Sequence, residues 1–171
     1  MNIVKLINLR TAGATALAGA AIFAQPAMAQ TAGSNLGASA EVTANCAVTS
    51  TAIDFGNVDV TTGAAVLGTG GISVVCTNGT AWAASADVGT GAAATLAVRQ
   101  LSDGANTLNY ALFTEATRTT IWGDGTTTTS TIDDIGTGVA QDKIIYGSIA
   151  AAQTGAVAGS YADTVAVTVT Y

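Results

Sequence analysis

Two cysteines, Cys46 and Cys76, are the side chains with the clearest chemistry in this chain of 171 residues. The chain contains no histidine, which excludes a Ser–His–Asp triad, a zinc site with imidazole ligands and imidazole acid–base catalysis. Two isolated thiols without histidine make a poor metal site. In an exported protein a cysteine pair is expected to be oxidised, so we predict a disulfide between Cys46 and Cys76.

The carboxylates and the glycine-rich segments form no pattern typical of catalysis or metal binding. The run GTGG at 68–71 lacks the Lys-Ser/Thr that follows in a phosphate-binding loop. Nothing in the sequence brings Glu115 close to an aspartate, as glycoside hydrolysis would need. Four aspartates could offer oxygen ligands to calcium, but their spacing is not that of an EF-hand: Asp124, Asp133, Asp134 and Asp142. We therefore predict no enzyme activity, no metal site and no cofactor.

The first 29 residues have the features of a secretory signal sequence. Lys5 and Arg10 form a basic start, an apolar run covers 11–24, and the motif AMA at 27–29 provides small residues at a cleavage site. The apolar run is too short for a transmembrane helix. Cleavage after Ala29 would leave 142 of the 171 residues, which suits one exported domain.

Charge and composition limit the class of the exported domain. After cleavage, three basic residues remain against eleven acidic ones, a net charge of −8. With no cluster of Lys and Arg to displace counterions, we predict no nucleic acid partner. Only 9% of residues are charged while the mean hydropathy is +0.47, the opposite of a disordered chain.

The residue pattern predicts an all-β domain. The chain has 36 alanines and 28 threonines, and threonine together with valine favours strands. Apolar and polar residues alternate from Leu36 to Cys46, which predicts one or two strands. Short strands with turns every 8–12 residues indicate a β-sandwich. We expect further strands at 72–77, 80–88, 96–101, 108–113, 126–131, 143–149 and 165–171, and loops at 63–71, 133–138 and 153–160.

Local signals add detail to this prediction. Asn78-Gly79 predicts a type I′ hairpin that joins the strands on either side. Trp82 alternates with Ala84 and Ala86 and is expected in the core, whereas Trp122 lies beside a turn and is a weak candidate for a surface contact. The last predicted strand runs to the final residue, so we expect an unpaired edge there and a spare strand at the start of the domain.

Several segments together resemble the spore coat protein U-like domain, a family that includes the subunits of archaic chaperone–usher pili of Gram-negative bacteria. The resemblance covers about residues 40–171 and depends on the order and spacing of the segments. These are Cys46, ISVVCTNGT (72–80), LNYALF (108–113), Arg118, WGDG (122–125), YGSI (146–149) and GSYADTVAVTVTY (159–171).

The resemblance implies an incomplete immunoglobulin-like β-sandwich at residues 43–171 that lacks its last strand. A periplasmic chaperone fills the gap temporarily, and the N-terminal segment of the next subunit fills it in the fibre. The family's disulfide maps onto Cys46 and Cys76. The donor segment maps onto residues 30–42, with an apolar face of Leu36, Ala38, Ala40 and Val42. The acceptor edge, which the chaperone would also contact, maps onto Val165, Val167, Val169 and Tyr171.

The leading hypothesis is therefore a structural subunit of an extracellular pilus, exported through the periplasm and an outer-membrane usher to the cell surface. There it would form a homopolymer that supports adhesion and biofilm formation. A carbohydrate-binding tip adhesin is a weaker alternative, because 142 residues hold only one domain. A small outer-membrane β-barrel is another alternative, but such a barrel needs more aromatic residues at its rims than this chain has. A spore or cyst coat protein of the same fold is the remaining alternative.

Overall fold

The computed structural model describes residues 28–171; residues 1–27, which include most of the predicted signal sequence, lie outside the described residues. All regular structure in the described part is β, as the sequence predicts. Ten strands follow one another along the chain: β1 Cys46–Thr51, β2 Val66–Cys76, β3 Ala81–Ala86, β4 Arg99–Ser102, β5 Thr107–Phe113, β6 Ile121–Trp122, β7 Thr129–Ser130, β8 Ile132–Ile135, β9 Gln141–Ile149 and β10 Val167–Thr170.

The chain divides into two units, residues 1–39 and 40–171, and all ten strands lie in the second. The described part of the first unit, residues 28–39, has no regular secondary structure and exposed side chains. No helix in residues 28–171 has the length and hydropathy needed to cross a membrane.

The larger of the two sheets has seven strands. Its order is β1-β2-β9-β5-β6-β7, with β4 also paired to β5. Strands β2 and β9 form a continuous antiparallel pair, from Val66 opposite Ile149 to Val74 opposite Gln141. Only the short β6 and β7 are parallel to each other.

The smaller sheet has three strands in the order β10-β3-β8. The last strand is antiparallel to β3, with Val167 opposite Ala86 and Thr170 opposite Ala83. Within residues 28–171, no strand pairs with the other side of β10. The last strand is thus an open edge of this sheet.

The core lies between the two sheets and follows the alternation of side chains along the strands. The expectation for Trp82 is confirmed, because only 3% of its surface is exposed. The expectation for Trp122 is wrong: the side chain is buried, and its indole nitrogen donates a hydrogen bond of 3.0 Å to the carbonyl of Ala84. The other buried apolar residues are Ile72, Val74, Cys76, Ala84, Ala86, Leu108, Tyr110, Leu112, Ile145 and Ile149.

Two predictions around β2 are wrong. The segment 63–71 was expected to be a loop, but β2 begins at Val66, because pairing with β9 supplies backbone hydrogen bonds that need no side-chain pattern. Asn78-Gly79 does not close a hairpin, since β2 and β3 belong to different sheets. Only Gly79 has a positive φ, of 83°, whereas a type I′ turn needs two such residues. The turn therefore carries the chain from one sheet to the other.

Three further boundaries differ from the predictions. The alternating segment 36–46 is not a strand before Cys46, because Asn45 is the only residue of 36–45 with a backbone–backbone hydrogen bond, from Thr77, among the described residues. The threonine run at 126–131 forms a strand only over Thr129–Ser130. The predicted loop at 133–138 begins with strand Ile132–Ile135, which pairs with β3. In each case the presence or absence of a neighbouring strand decided the outcome.

Candidate functional site: an open groove beside the last strand

The predicted disulfide is present. Cys46 and Cys76 lie directly opposite each other at the first pair of the β1–β2 ladder, and their Cα atoms are 4.1 Å apart. The bond closes a sequence separation of 30 residues. It holds β1, an edge strand of the larger sheet, firmly to the core of the domain.

An open groove of about 400 Å³ lies between β1 and the last strand; we call it the strand groove. Residues 50–53 at the end of β1 line one side, and Val165 and Val167 line the other. Its floor consists of core side chains: Ile72, Leu101, Tyr110, Leu112, Trp122 and Ile145. The strand groove therefore reaches down to the core of the sandwich beside the unpaired edge of β10.

A second, larger cavity of about 880 Å³ continues from the strand groove; we call it the end cleft. It lies between residues 53–60 and 156–163, neither of which forms a strand. The two cavities share Ile53, Phe55, Leu101 and Asp163. Together they form a long channel along the final segment of the chain, lined by both apolar and polar residues, a shape that suits an extended polypeptide.

Glycines in β2 and β9 allow the residues after β1 to pack onto the inner face of the larger sheet. A Cβ atom at Gly147 would lie 2.7 Å from the ring of Phe55, and one at Gly68 would lie 2.8 Å from Ile53. Phe55 also packs edge-on against Tyr110, with ring centroids 6.0 Å apart. Ile53 and Phe55 are consequently held at the junction of the two cavities, where the sequence analysis had assigned no role.

Hydrogen bonds to Asp163 fix the segment that leads into β10. Its carboxylate accepts hydrogen bonds of 2.8 and 2.7 Å from the backbone and hydroxyl of Thr90, and one of 2.7 Å from the hydroxyl of Tyr110. Partial burial disfavours the charged form, but these hydrogen bonds outweigh it, so the pKa of Asp163 lies below its ordinary value. Burial, and then the bond to Asp163, raise the pKa of Tyr110.

Arg99 is a buried cation beside this network. None of its surface is exposed, and its guanidinium donates to the carbonyls of Asp87, Leu96 and Trp122 at 2.9 to 3.0 Å. Burial lowers the pKa of Arg99. The sequence analysis assigned no role to Arg99, although a cation inside a predicted strand, in a domain with only three basic residues, was a usable signal.

Two of the predicted edge residues, Val167 and Val169, lie in β10, while Val165 precedes the strand and Tyr171 follows it. Val165, Val167 and Val169 are half-buried and alternate with exposed residues, and all three pack against the core. Tyr171 is 56% exposed, and its hydroxyl lies 3.4 Å from the side-chain oxygen of Asn45. This contact joins the end of β10 to the residue before β1, so one end of the strand groove is closed.

The predicted donor residues are not part of any strand. Leu36 is 96% exposed and Val42 is 83% exposed, and Ala38 and Ala40 are also exposed. From residue 28 onward, residues 43 and 45 are the first to form hydrogen bonds with the sandwich, through Thr77. The compact unit that holds the strands begins at Ala40, and the domain boundary at residue 43 stays a prediction.

Three of the four carboxylates considered as calcium ligands, those of Asp124, Asp133 and Asp134, have other partners. Asp124 accepts hydrogen bonds from Thr126 and Thr129, and Asp134 forms an ion pair of 2.6 Å with Lys143. That hydrogen bond to Lys143 is the main reason why the pKa of Asp134 is lowered. Across residues 28–171, no three acidic or cysteine side chains converge on a point where they could hold a metal ion.

Comparison with known proteins shows which family this chain belongs to. A family model described as the Spore Coat Protein U domain matches residues 32–168. The chain is 31% identical over 179 aligned residues to Protein U of Myxococcus xanthus, and the alignment covers 95% of this chain and 98% of that protein.

The fold is also similar to that of a solved structure, with a TM-score of 0.53 and 21% identity. That structure is the CsuC–CsuE chaperone–tip adhesion subunit pre-assembly complex from the archaic chaperone–usher Csu pili of Acinetobacter baumannii. The match covers 76% of this chain and 40% of the other, so this chain spans less than half of that protein. Because the family model matches most of the chain and Protein U matches almost all of it, the chain belongs to the Spore Coat Protein U domain family.

Proposed function

We propose that the chain is a structural subunit of an extracellular archaic chaperone–usher pilus that polymerises by donor-strand exchange. The observation that carries this proposal is the open edge of β10 above the strand groove. An unpaired edge beside a groove that reaches the core is an aggregation hazard for a free protein. It becomes a binding site when another chain adds a strand to it.

The occupant that we propose is the segment 30–42 of a second copy. This segment has no partner strand within residues 28–171, and its thirteen residues span about 43 Å when extended, at about 3.3 Å per residue. Leu36, Ala38, Ala40 and Val42 share one face of an extended strand, because side chains alternate with a period of two. Burying Leu36 and Val42 in the groove would contribute about 1.5–3 kcal/mol each.

A periplasmic chaperone and an outer-membrane usher are the other proposed partners. A subunit with an exposed edge needs a temporary strand before it meets the next subunit, and a solved relative in fold is a chaperone–subunit complex. The disulfide suits an oxidising compartment such as the periplasm. We assign the polymer a passive structural role at the cell surface, in adhesion and biofilm formation, with no enzyme activity.

Removing the donor segment tests the proposal. The mature chain is co-expressed with its cognate chaperone and usher, with and without residues 30–42, and fibres are examined by negative-stain microscopy. We expect the deleted form to accumulate as a chaperone-bound monomer without fibres. Addition of a synthetic peptide of residues 30–42 should then displace the chaperone and yield soluble capped monomers. Fibres formed by the deleted chain would contradict the proposal.

A coat protein is the second candidate. It is favoured by the match to Protein U, which extends over 98% of that protein, and by the description of the family. A coat subunit could use the same groove to form a surface layer instead of a filament. The shape of the assembled product in the microscope separates the two: filaments support the pilus subunit, and sheets or shells support the coat protein.

A further inference from the structure

The donor segment leaves its own subunit beside its own acceptor groove. Asn45, where the chain enters β1, lies next to Tyr171 at the end of β10. The two strands run in opposite directions on the two sides of the groove, since residues 50–53 face Val165 and Val167 at its other end. A segment that begins at residue 42 therefore starts at the closed end of the groove of the same molecule.

This proximity creates a competition between two acceptors. A short tether gives a segment an effective concentration on the order of 1 mM at a nearby site, well above the concentration of free subunits in most compartments. Without an obstacle, the donor segment would fold back into its own groove and cap the monomer. Polymerisation by exchange between molecules thus requires that the donor segment be prevented from binding in its own groove.

To enter its own groove, the chain would have to reverse direction between residue 42 and Cys46. The disulfide holds Cys46 opposite Cys76, so the reversal must take place within residues 43–45. Thr77 holds these three residues in line with β1. Its hydroxyl accepts a hydrogen bond of 3.1 Å from the amide of Asn45, and it lies 3.3 Å from the carbonyl oxygens of both Thr43 and Asn45.

The backbone hydrogen bonding and the sequence also favour a chain that continues along β1 and does not turn back before Cys46. The amide of Thr77 donates a hydrogen bond of 2.9 Å to the carbonyl of Asn45, which extends the β1–β2 ladder beyond Cys46. Residues 38–45 contain no glycine, although a tight reversal between strands needs residues that adopt positive φ. The contact between Tyr171 and Asn45 then occupies the closed end of the groove.

We propose that the Thr77 clasp, formed by Thr77 with Thr43 and Asn45, directs the donor segment away from its own groove and so makes strand exchange intermolecular. This inference rests on the proposed function. It assigns to Thr77 a positioning role in the choice of acceptor, in addition to its contribution to the sandwich.

The test weakens the Thr77 clasp in one set of variants and, in another, introduces a turn that would let the chain reverse within residues 43–45. Thr77→Val removes the hydroxyl at nearly constant volume, and Thr77→Ser keeps it. Thr43→Asn combined with Ala44→Gly introduces a type I′ turn at an exposed site, and Thr43→Ser with Ala44→Ser is its control. Thr49→Val, on the exposed face of β1, controls for the loss of a threonine hydroxyl. Mature subunits are released from the chaperone, and their mass is measured by light scattering after size exclusion.

We expect the Thr77→Val and the Asn-Gly variants to raise the fraction of soluble monomer at least fivefold, and residues 30–42 of that monomer to be protected from hydrogen exchange. Thr77→Ser and both controls should polymerise like the wild type. If Thr77→Val is poorly folded, the Asn-Gly variant decides the question.

Three results would overturn the inference: wild-type monomers with a protected donor segment, polymerisation of both variants at the wild-type rate, or variant monomers whose donor segment exchanges freely. The deletion of residues 30–42 keeps the two proposals apart. If deletion abolishes fibres while both variants behave as wild type, only the role of the clasp is wrong. If the deleted chain still forms fibres, strand exchange itself is wrong.

Discussion

The hydroxyl of Tyr110 donates a hydrogen bond of 2.7 Å to the carboxylate of Asp163. Tyr110 belongs to the larger sheet, and Asp163 lies four residues before β10 of the smaller one. The bond therefore links the two sheets beside the strand groove, and both residues line that groove. Thr90 donates two further hydrogen bonds to the same carboxylate. The start of the acceptor edge is thus positioned by a polar network anchored in the core.

Tyr110→Phe should destabilise the domain by about 1–2 kcal/mol, because it removes one hydrogen bond to a charged group and leaves the ring in place. Chemical denaturation of the subunit capped with a 30–42 peptide measures this change. Tyr161→Phe is the control, since the hydroxyl of Tyr161 bonds a carbonyl in an exposed loop, and it should cost less. Equal losses of unfolding free energy in the two variants would show that the hydrogen bond between the sheets stabilises the domain no more than one in an exposed loop.

Arg99→Met should cost at least about 3 kcal/mol or prevent accumulation of the subunit. The methionine fills part of the space but leaves one buried carbonyl, that of Trp122, and two part-buried ones without their donor. Each unsatisfied buried group costs about 1–3 kcal/mol. Arg118→Met is the matched control, because Arg118 is only half-buried and bonds two carbonyls near the surface. Yield from co-expression and the urea midpoint measure both. A loss at Arg99 no larger than that at Arg118 would contradict this account.

Replacement of both Cys46 and Cys76 by alanine should lower the free energy of unfolding by about 3.5 kcal/mol. That value follows from the chain entropy released by opening a loop of about 30 residues. The same loss is expected when a reducing agent is added to the wild type, and the reagent should not change the stability of the double alanine variant. If the reducing agent also lowered the stability of the double alanine variant, the loss seen in the wild type could not be assigned to the disulfide.

The stability contributed by Glu115 should disappear in acid. Hydrogen bonds, first from the hydroxyl of Thr119 and also from the amides of Thr119 and Thr120, lower its pKa from 4.5 to about 2. A carboxylate whose pKa is lower in the folded state stabilises the fold above pH 4.5, and this contribution falls progressively until pH 2. Urea midpoints for the wild type and Glu115→Gln should therefore differ at pH 7 and converge towards pH 2. Glu41→Gln, in the exposed segment before β1, is the control for the substitution itself and should leave the urea midpoint at pH 7 unchanged.

Val167→Asp should reduce fibre formation at least tenfold, because it places a charge in the apolar strand groove where the donor strand would bind. Thr168→Asp adds the same charge to the exposed face of the next position in β10 and should leave fibres nearly intact. Fibres are counted by microscopy, and circular dichroism of the chaperone-bound subunit checks the fold. Similar fibre yields from the two variants would contradict binding at this groove.

Much of the architecture was available from the sequence, for a physical reason. Alternation of apolar and polar residues sets which side chains face the core wherever a strand is half-buried. The strands around Trp82, Tyr110 and Ile145 were therefore predicted close to their observed places. The pairing of Cys46 with Cys76 followed from there being only two cysteines.

Tertiary structure alone decided which strand lies next to which. Asn78-Gly79 has the local chemistry of a hairpin, yet the turn passes between sheets because β2 pairs with β9 instead of β3. The alternation before Cys46 has the pattern of a strand, but a strand forms only where a neighbour completes its hydrogen bonds. The roles of Arg99, Phe55 and Thr77 depend on contacts between residues distant in the chain, and local periodicity carries no information about such contacts.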